Sequence, residues 1–418
     1  MPFSSAMLSP SSLRDSVASF HRLLSLSPPP SVVEINKILG SLAKATHCTT
    51  AISLSTQAEL KGFKPSLVTL TILTNCYCLV GDITSAFSLL GKIFKWGYQP
   101  NTVTVNTLMK GLCMKDVGQA LDFHDDLLAK GFCLNPVSYG TLVNELCKTG
   151  QTRCAVKLLQ MMGGRKIKIV PDVVIYNAVI DGLCKGGLVN EASKLCSEMI
   201  RGGISSNIVT YNTLICGFSN TSQLQEAIRM DEALDLFNEM RFKNLLPDTV
   251  TYSSLIDGLC KAKRMSHVKD LVYEMRSNGH APNIITCNIL LNAFCKMNNL
   301  DEAITLYRQI VDQEIQPTIY TYNILIDGLC KGGRFRFARE IFEYLMTKGH
   351  HLNAYSYNIM INGLCKESLF GEALTVFSRM KENGFLPDLV TFTTLVGALL
   401  MKNENDKVEV LIHELLNQ

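Results

Sequence analysis

Asn177, Asp181 and Lys185 stand at i, i+4 and i+8, and Asn323, Asp327 and Lys331 repeat the spacing further along the chain. On an α-helix, residues so spaced share one face. Each trio then presents an amide, a carboxylate and an ammonium in a row. An amide both donates and accepts, so it can address the edge of a nucleobase, and an ammonium can meet a phosphate. The plain alternative is a solvated acid–base pair one helical turn apart. Cysteine offers a second chemistry. Fifteen are present, and Cys147, Cys184, Cys260, Cys295, Cys330 and Cys365 recur in similar surroundings. No C-x-x-C pair occurs, however, and Cys76 with Cys78 has the wrong spacing for zinc. The eight histidines show neither a triad nor ligand spacing, and His350–His351 reads as a turn.

The cysteines also act as a ruler. Cys260, Cys295, Cys330 and Cys365 are spaced by 35 residues, as are Cys78 and Cys113. Such a period marks a chain built of internal repeats. Units framed on the P-D or P-N step open at Val32, Leu67, Thr102, Pro136, Val173, Ile208, Thr249, Ile284, Ile319 and Ala354, with an incomplete one from Leu389. Seven of the ten complete units are 35 residues long, and those at 102–135, 136–172 and 208–248 are irregular. Within a unit, Tyr322, Leu325, Ile326, Leu329 and Cys330 make one helical stripe. Gly332–Gly333 interrupt it, and Ala338, Ile341, Phe342 and Leu345 make a second. Two short antiparallel helices cannot bury their faces alone, so the units must stack into a solenoid. The recurring cysteine lies on the apolar stripe, where a free thiol packs as a small hydrophobe. Stacked helices stand about 10 Å apart, too far for neighbouring units to share a zinc ion.

Bulk properties fit this picture. The 418 residues are 47% hydrophobic and 18% charged, too apolar for a disordered chain. The formal charge of +3 leaves any nucleic-acid contact to local placement of cations. The odd cysteine count in a long chain suits a reducing compartment. The longest apolar runs, Leu67–Val80 and Leu389–Met401, are broken by polar residues or glycine and fall short of a bilayer span. Residues 1–31 form an N-terminal segment, Ser-rich, with Arg14 and Arg22 against the single acid Asp15. It fits an organellar transit peptide and a Ser-rich approach to a helix equally well. Residues 32–388 then hold ten repeats and 389–418 the incomplete one.

The strings "VTYNTLI" (Val209–Ile215), "IDGLCK" (Ile180–Lys185) and G-x-x-P-D (Gly384–Asp388) resemble the pentatricopeptide repeat, and the likeness runs over residues 32–418. The units resemble its plain P type, and "NKILGSLAK" with "YNILIDGLCKGG" resembles the fertility-restorer-like subgroup of plant organellar proteins. The resemblance implies an all-α fold, a right-handed α-solenoid superhelix of about ten to eleven helix-turn-helix repeats. It also implies RNA as partner, read at one base per unit by a residue on the first helix together with the unit's closing residue. The pairs are Asn36 with Ser66, Thr71 with Asn101, Asn106 with Asn135, Gly140 with Asp172, and Asn177 with Asn207. They continue as Asn212 with Asp248, Ser253 with Asn283, Asn288 with Thr318, Asn323 with Asn353, and Asn358 with Asp388. The closing residues also suit a helix N-cap, whereas Asn inside the helix is a mediocre choice that needs another cause. Packing against the bases falls to Val33, Val68, Val103, Val137, Val174, Val209, Val250 and Ile285, with Tyr320 and Tyr355 departing from the aliphatic pattern. Lys148, Lys185, Lys261, Lys296, Lys331 and Lys366 form a row suited to a phosphate backbone.

An ionised Asp only accepts, which suits the ring N–H of U or G, whereas Asn also donates and suits A or C. The family's tendencies add that helix Asn favours pyrimidines and Ser or Thr purines. Together the pairs imply 5′-C-A-Y-N-Y-U-A-Y-Y-U-3′, with Y for C or U and the base opposite Gly140 left open. The expected function is sequence-specific binding of single-stranded organellar RNA in transcript processing, stabilisation or translation control. The expected compartment is the mitochondrion, with the plastid as alternative. No cofactor, metal or catalysis is expected, and a recruited nuclease or other processing factor is the expected further partner. The zinc-site motifs H-x-E and C-x-x-C of some relatives' deaminase-like domains do not occur. The alternative function is a protein-binding helical scaffold without RNA readout. "QEAIRM" followed by "DEALDL" (Gln225–Leu236) reads as a six-residue duplication. Six residues turn a helix by about 600°, so a loop, a kink or a defective repeat is expected there.

Overall fold

Every helix leaves the backbone N–H groups of its opening turn without intrahelical partners. The residue that closes each repeat supplies one partner. Asn101 accepts from the Thr104 N–H, Asp172 from Ile175, Asn353 from Ser356 and Asp388 from Thr391, each at 2.9 Å. All four sit in extended backbone at the N-cap, where Ser, Thr, Asn and Asp are favoured. Lysine follows in the last turn of most of these helices, where a cation suits the partial negative charge of the C-terminus.

The computed structural model describes residues 10–25, 30–132, 134–162, 169–220, 226–348, 352–402 and 404–416. His350 and His351, expected at a turn, lie outside them, as do residues 1–9. The described residues hold 23 helices and no strand. The chain forms two compact units, Met1–Gly217 and Phe218–Gln418. In the first, α1 (Pro10–Leu23) precedes the hairpins α2 (Val32–Lys44) with α3 (Cys48–Leu60) and α4 (Leu67–Val80) with α5 (Ile83–Lys95). There follow α6 (Thr102–Lys115) with α7 (Val117–Ala129), α8 (Pro136–Lys148) with α9 (Thr152–Met162), and α10 (Val173–Lys185) with α11 (Val189–Arg201). Helix α12 (Ile208–Ser219) carries the boundary, and α13 (Glu226–Phe242) opens the second unit. That unit continues with α14 (Thr249–Lys261) and α15 (Met265–Ser277), α16 (Ile284–Lys296) and α17 (Leu300–Asp312), and α18 (Ile319–Lys331) and α19 (Phe335–Thr347). It ends with α20 (Ala354–Lys366) and α21 (Phe370–Glu382), then α22 (Leu389–Leu400) and α23 (Asn405–Leu416).

Within each unit the first helices stack on one another, from α2 to α10 in the first and from α14 to α22 in the second, and each of these packs on its own second helix, as α4 does on α5 and α18 on α19. This is the stacking of an all-α helical-repeat solenoid, in which each repeat covers its neighbour's apolar face. In the first unit Phe20 of α1 is fully buried in one core with Ile35, Leu39 and Ala51. In the second, Tyr322, Phe342, Tyr357, Phe377 and Phe392 run through one core.

The recurring D-G-L-C words are explained by contact between repeats. A Cβ built at Gly328 would collide with Cys295 of the preceding repeat, one at Gly111 with Cys78, and one at Gly217 with Cys184. At Gly182 and Gly363 it would come within 2.8 Å of Cys147 Sγ and 2.6 Å of Cys330 Sγ. At these five positions the glycine admits a thiol of the preceding repeat, whereas Gly258 faces Ser219 and Met230. Burial pushes the Cys184 and Cys330 thiols up to about 12. They therefore remain protonated at neutral pH, as packed thiols do. Among the described residues, no three or more His, Cys, Asp or Glu are grouped to hold a metal ion. No helix there is long and apolar enough to cross a membrane.

Of the loop, kink or defective repeat expected among the extra residues of 208–248, the described stretch from Glu226 onward shows no loop. Glu226–Phe242 is a single helix of 17 residues, where α15 and α17 have 13. Its buried positions Met230, Ala233 and Met240 keep the spacing of Leu300, Ala303 and Ile310 in α17. Asp231 meets Arg264 at 2.5 Å just as Asp301 meets Arg334 at 2.6 Å. The surplus therefore lies upstream of the packed stretch, as an added turn at Glu226–Arg229, and leaves the apolar face unrotated. Residues 221–225 lie outside the described part.

Two glycine substitutions should shift stability in opposite directions. Gly328→Ala forces a methyl into Cys295 and should cost about 1–3 kcal/mol as overpacking. Gly91→Ala lies inside α5 with nothing within 4 Å and should stabilise by about 0.5–1 kcal/mol. Thermal melts followed by circular dichroism compare the two, and shifts of the same sign would contradict the packing account.

Candidate nucleic-acid interface

The N-cap decides which atom of each closing residue is presented. Its Oδ1 is held by the backbone N–H of the third helix residue in Asn135, Asn207, Asp248 and Asn283, as in Asn101, Asp172, Asn353 and Asp388. The atom left outside the cap is then Nδ2 in asparagine and Oδ2 in aspartate. From one backbone position an Asn offers a donor and an Asp an acceptor. The helix thus settles the amide orientation, which electron density alone rarely distinguishes. Ser66 and Thr318 cap through their hydroxyls.

The reading residues lie on the next turn inward and fall into distinct groups. Asn36, Asn177 and Asn358 each donate from Nδ2 to the closing residue of their own pair, Ser66, Asn207 and Asp388, all at 3.2 Å. Their Oδ1 atoms each accept from a threonine hydroxyl of the next repeat, Thr69, Thr210 and Thr391, all at 2.7 Å. Thr71 and Ser253 instead meet the corresponding hydroxyls of Thr104 and Thr286 at 2.8 Å. Asn106, Asn288 and Asn323 make no such pair, and their buried Oδ1 atoms have no partner. Asn323 is only 3% exposed. Gly140 brings no side chain, and a Cβ built there would meet Ile175 at 3.6 Å. Asn212 is half-buried on α12 in the first unit, and Asp248 caps α14 in the second.

One residue before this network begins, each first helix carries a large apolar side chain that stays in solvent. Val33, Val68, Val103, Val137, Val174, Val209, Val250 and Ile285 are between 56% and 68% exposed. Tyr320 and Tyr355 occupy the same position and are similarly exposed. Single exposed valines are ordinary, but one at the same register of successive helices is a patterned apolar surface.

The lysine row is less uniform than its spacing. Lys185 pairs with Asp181 at 2.6 Å, Lys261 with Asp257 at 2.5 Å, Lys331 with Asp327 at 2.6 Å and Lys148 with Glu145 at 2.8 Å. Lys296 and Lys366 have no ion-pair partner among the described residues, because Asn292 and Asn362 stand one turn before them where the others have an acid. The i,i+4 pairing expected as the plain alternative is therefore present in three of the six.

Sequence reasoning passed over the third residue of the first helix. Thr69, Thr104, Thr210, Thr251, Thr286, Thr321 and Ser356 are fully buried, and Ser138 and Thr391 nearly so. The repeated Thr of "VTYN" was the available signal. A polar residue kept at a buried helix position points to a hydrogen-bonding duty.

The cap itself can be tested through its acid. Hydrogen bonds, led by the one from the Thr391 backbone, hold the Asp388 carboxyl below the usual carboxylate range. Its contribution is thus fully present above the unfolded value of about 3.9 and lost as pH falls through the lower folded one. Asp388→Ala should cost about 1 kcal/mol at neutral pH, whereas Asp388→Asn keeps the cap and removes this part of the acid sensitivity. Melting temperatures from pH 7 down to pH 3 check both; an Asn variant as unstable as the Ala variant would contradict the cap.

The comparisons with known proteins agree with this geometry. A model of the PPR repeat family matches residues 75–114, 171–220, 224–261, 248–296, 282–331, 322–366 and 352–401, more than half of the chain, and a PPR repeat model matches 130–163. A chloroplastic pentatricopeptide repeat-containing protein of Arabidopsis thaliana is 27% identical over 215 residues, 51% of this chain and 27% of its own length. A mitochondrial one from the same plant is 35% identical over 86 residues, 21% of this chain and 14% of its own. The chain thus spans only about a quarter or less of these relatives. The crystal structure of the pentatricopeptide repeat protein PPR10 from maize superposes with a TM-score of 0.52 at 24% identity, over 97% of this chain and 66% of that one, and shares its fold. With its repeats matched in sequence over most of their length and stacked as this geometry requires, the chain belongs to the pentatricopeptide repeat family.

Proposed function

We propose that this protein binds single-stranded RNA in a sequence-specific manner, one base per repeat, in an organelle of the plant cell. The observation that carries this reading is an exposed aliphatic or aromatic side chain at the same register of successive first helices, joined in three repeats by a hydrogen-bonded polar pair about one turn further in. The apolar side chain suits the face of a base, and the polar pair suits its edge. Membership of the family supports the same reading, as do relatives named for the chloroplast and the mitochondrion. The mitochondrion is the preferred compartment. The protein acts by occupying a site on a transcript, so that nucleases are excluded, structure is remodelled or a processing factor is recruited.

The proposed target is 5′-CAYNYUAYYU-3′. At about 1 kcal/mol net per base, ten bases give affinity on the order of tens of nanomolar. Within the lysine row, Lys296 and Lys366 are the stronger phosphate contacts, because the others are already neutralised by an acid on their own helix. This also reconciles RNA binding with a formal charge of only +3.

Fluorescence anisotropy with labelled decamers tests the reading. The proposed decamer should bind at least tenfold tighter than a scrambled pyrimidine-rich control; equal binding would sink the one-base-per-repeat scheme. Asn358→Thr should move the preference at the last base from U toward a purine. Lys296→Gln should weaken binding several-fold and lower the salt slope by about 0.7, the value for one phosphate contact to a single strand. Lys331→Gln should change both less. Partner capture that ignores salt and RNA would favour the protein-scaffold alternative.

A further inference from the structure

The buried third-residue hydroxyls have an ordinary duty. They complete a capping box by accepting the N–H of their own closing residue, as Thr391 does from Asp388 at 3.2 Å and Thr210 from Asn207 at 3.2 Å. That duty uses a lone pair and leaves the hydroxyl proton. In Thr69, Thr210 and Thr391 the proton's shortest contact lies outside the cap, with the Oδ1 of the preceding repeat's reading asparagine at 2.7 Å. The distances to their own closing residues are longer, 3.1 Å for Thr210 and 2.9 Å for Thr391. An amide held by its oxygen keeps only Nδ2 for other partners; one of its two protons goes to the closing residue at 3.2 Å, and the other leaves the residue a donor.

Where the third residue is Ser, the contact is missing. The Ser356 hydroxyl goes to its own Asn353 at 2.9 Å, and Asn323 behind it is left with a buried, unpartnered Oδ1. Ser138 likewise goes to Asn135 at 3.0 Å, and Asn106 is left unpartnered. The hydroxyls themselves stand alike, since Thr391 reaches its own Asp388 at 2.9 Å as Ser356 reaches Asn353; what differs is whether the preceding asparagine brings its Oδ1 to the hydroxyl. Thr321 is the threonine that leaves its predecessor unheld: its hydroxyl meets that of its closing residue Thr318 at 3.2 Å, and the Oδ1 of Asn288 is buried without a partner.

We infer that the third residue of each first helix is a positioning residue for the reading side chain of the preceding repeat. Threonine there, behind an Asn, Asp or Ser cap, locks the reading asparagine as a donor. Serine leaves it free to turn either group to the base. The inference rests on the RNA-reading proposal and adds a residue that its two-residue pairing does not contain. Locked asparagines discriminate sharply between bases, and unlocked ones such as Asn323 tolerate substitution.

The test compares decamers changed at single positions. For wild-type protein, replacing the base opposite Asn358 by A should cost more than the same change opposite Asn323. Thr391→Val should reduce the discrimination opposite Asn358 about tenfold while leaving that opposite Asn177 unchanged. Thr391→Ser should fall between the two. Ser356→Thr adds the lock and should raise discrimination opposite Asn323 several-fold, a gain that damage to the fold cannot imitate. If wild-type protein binds the decamer but Ser356→Thr and Thr391→Val leave the ratios unchanged, the positioning role is overturned. If wild-type protein does not distinguish the decamer from its scramble, the RNA-reading proposal fails instead.

Discussion

The hydrogen bond from the third backbone N–H of a first helix to the side-chain oxygen of the residue closing the previous repeat, an Oδ1 in Asn101, Asp172, Asn353 and Asp388, is the contact on which the rest depends. It starts the helix, and it also fixes the side chain that stands at the helix mouth. Because the cap consumes one oxygen in Asn and Asp alike, the remaining atom differs between them only in whether it donates or accepts. A structural requirement that cannot be waived thereby becomes a position at which hydrogen-bonding character varies freely. Asp388 and Asn353 cap equally well at 2.9 Å while presenting opposite groups.

A second constraint sets the distance between repeats. Gly328 and Cys295, like Gly363 and Cys330, touch so closely that no Cβ fits between them. Close stacking brings the third-residue hydroxyl of one first helix within 2.7 Å of an amide on the one before. Larger residues at the glycine positions would force neighbouring helices apart and lengthen those contacts. The polar network on one face and the small-residue contact within the stack are thus two consequences of one spacing. The extended helix Glu226–Phe242 follows the same logic, since its added turn precedes the residues that pack and leaves the Asp231–Arg264 tie in its usual place.

Much of this was legible in the sequence. The 35-residue period, the paired helices and the N-cap character of residues such as Asn101 and Asp388 follow from local chemistry that a single chain displays. Contacts between repeats were not legible. The Thr of "VTYN" is adjacent to conspicuous residues, but its partner lies 33 positions away and is revealed only once the helices are stacked. The same holds for Gly182 and Gly328 of D-G-L-C, whose reason is a thiol in the previous repeat. Lysine spacing suggested one uniform basic row, whereas the ion pairs at Lys185, Lys261 and Lys331 single out Lys296 and Lys366. Periodicity shows where side chains point and is silent on which neighbour they meet.

The central claim is that the cap turns the closing residue into a reader whose hydrogen-bonding sense follows from its chemistry alone. The most direct measurement is the affinity of Asp388→Asn for decamers ending in U and in C. The account predicts an unchanged melting temperature at neutral pH and a preference that moves from U to C, because the acceptor outside the cap has become a donor. A variant that keeps the cap and still prefers U would contradict it.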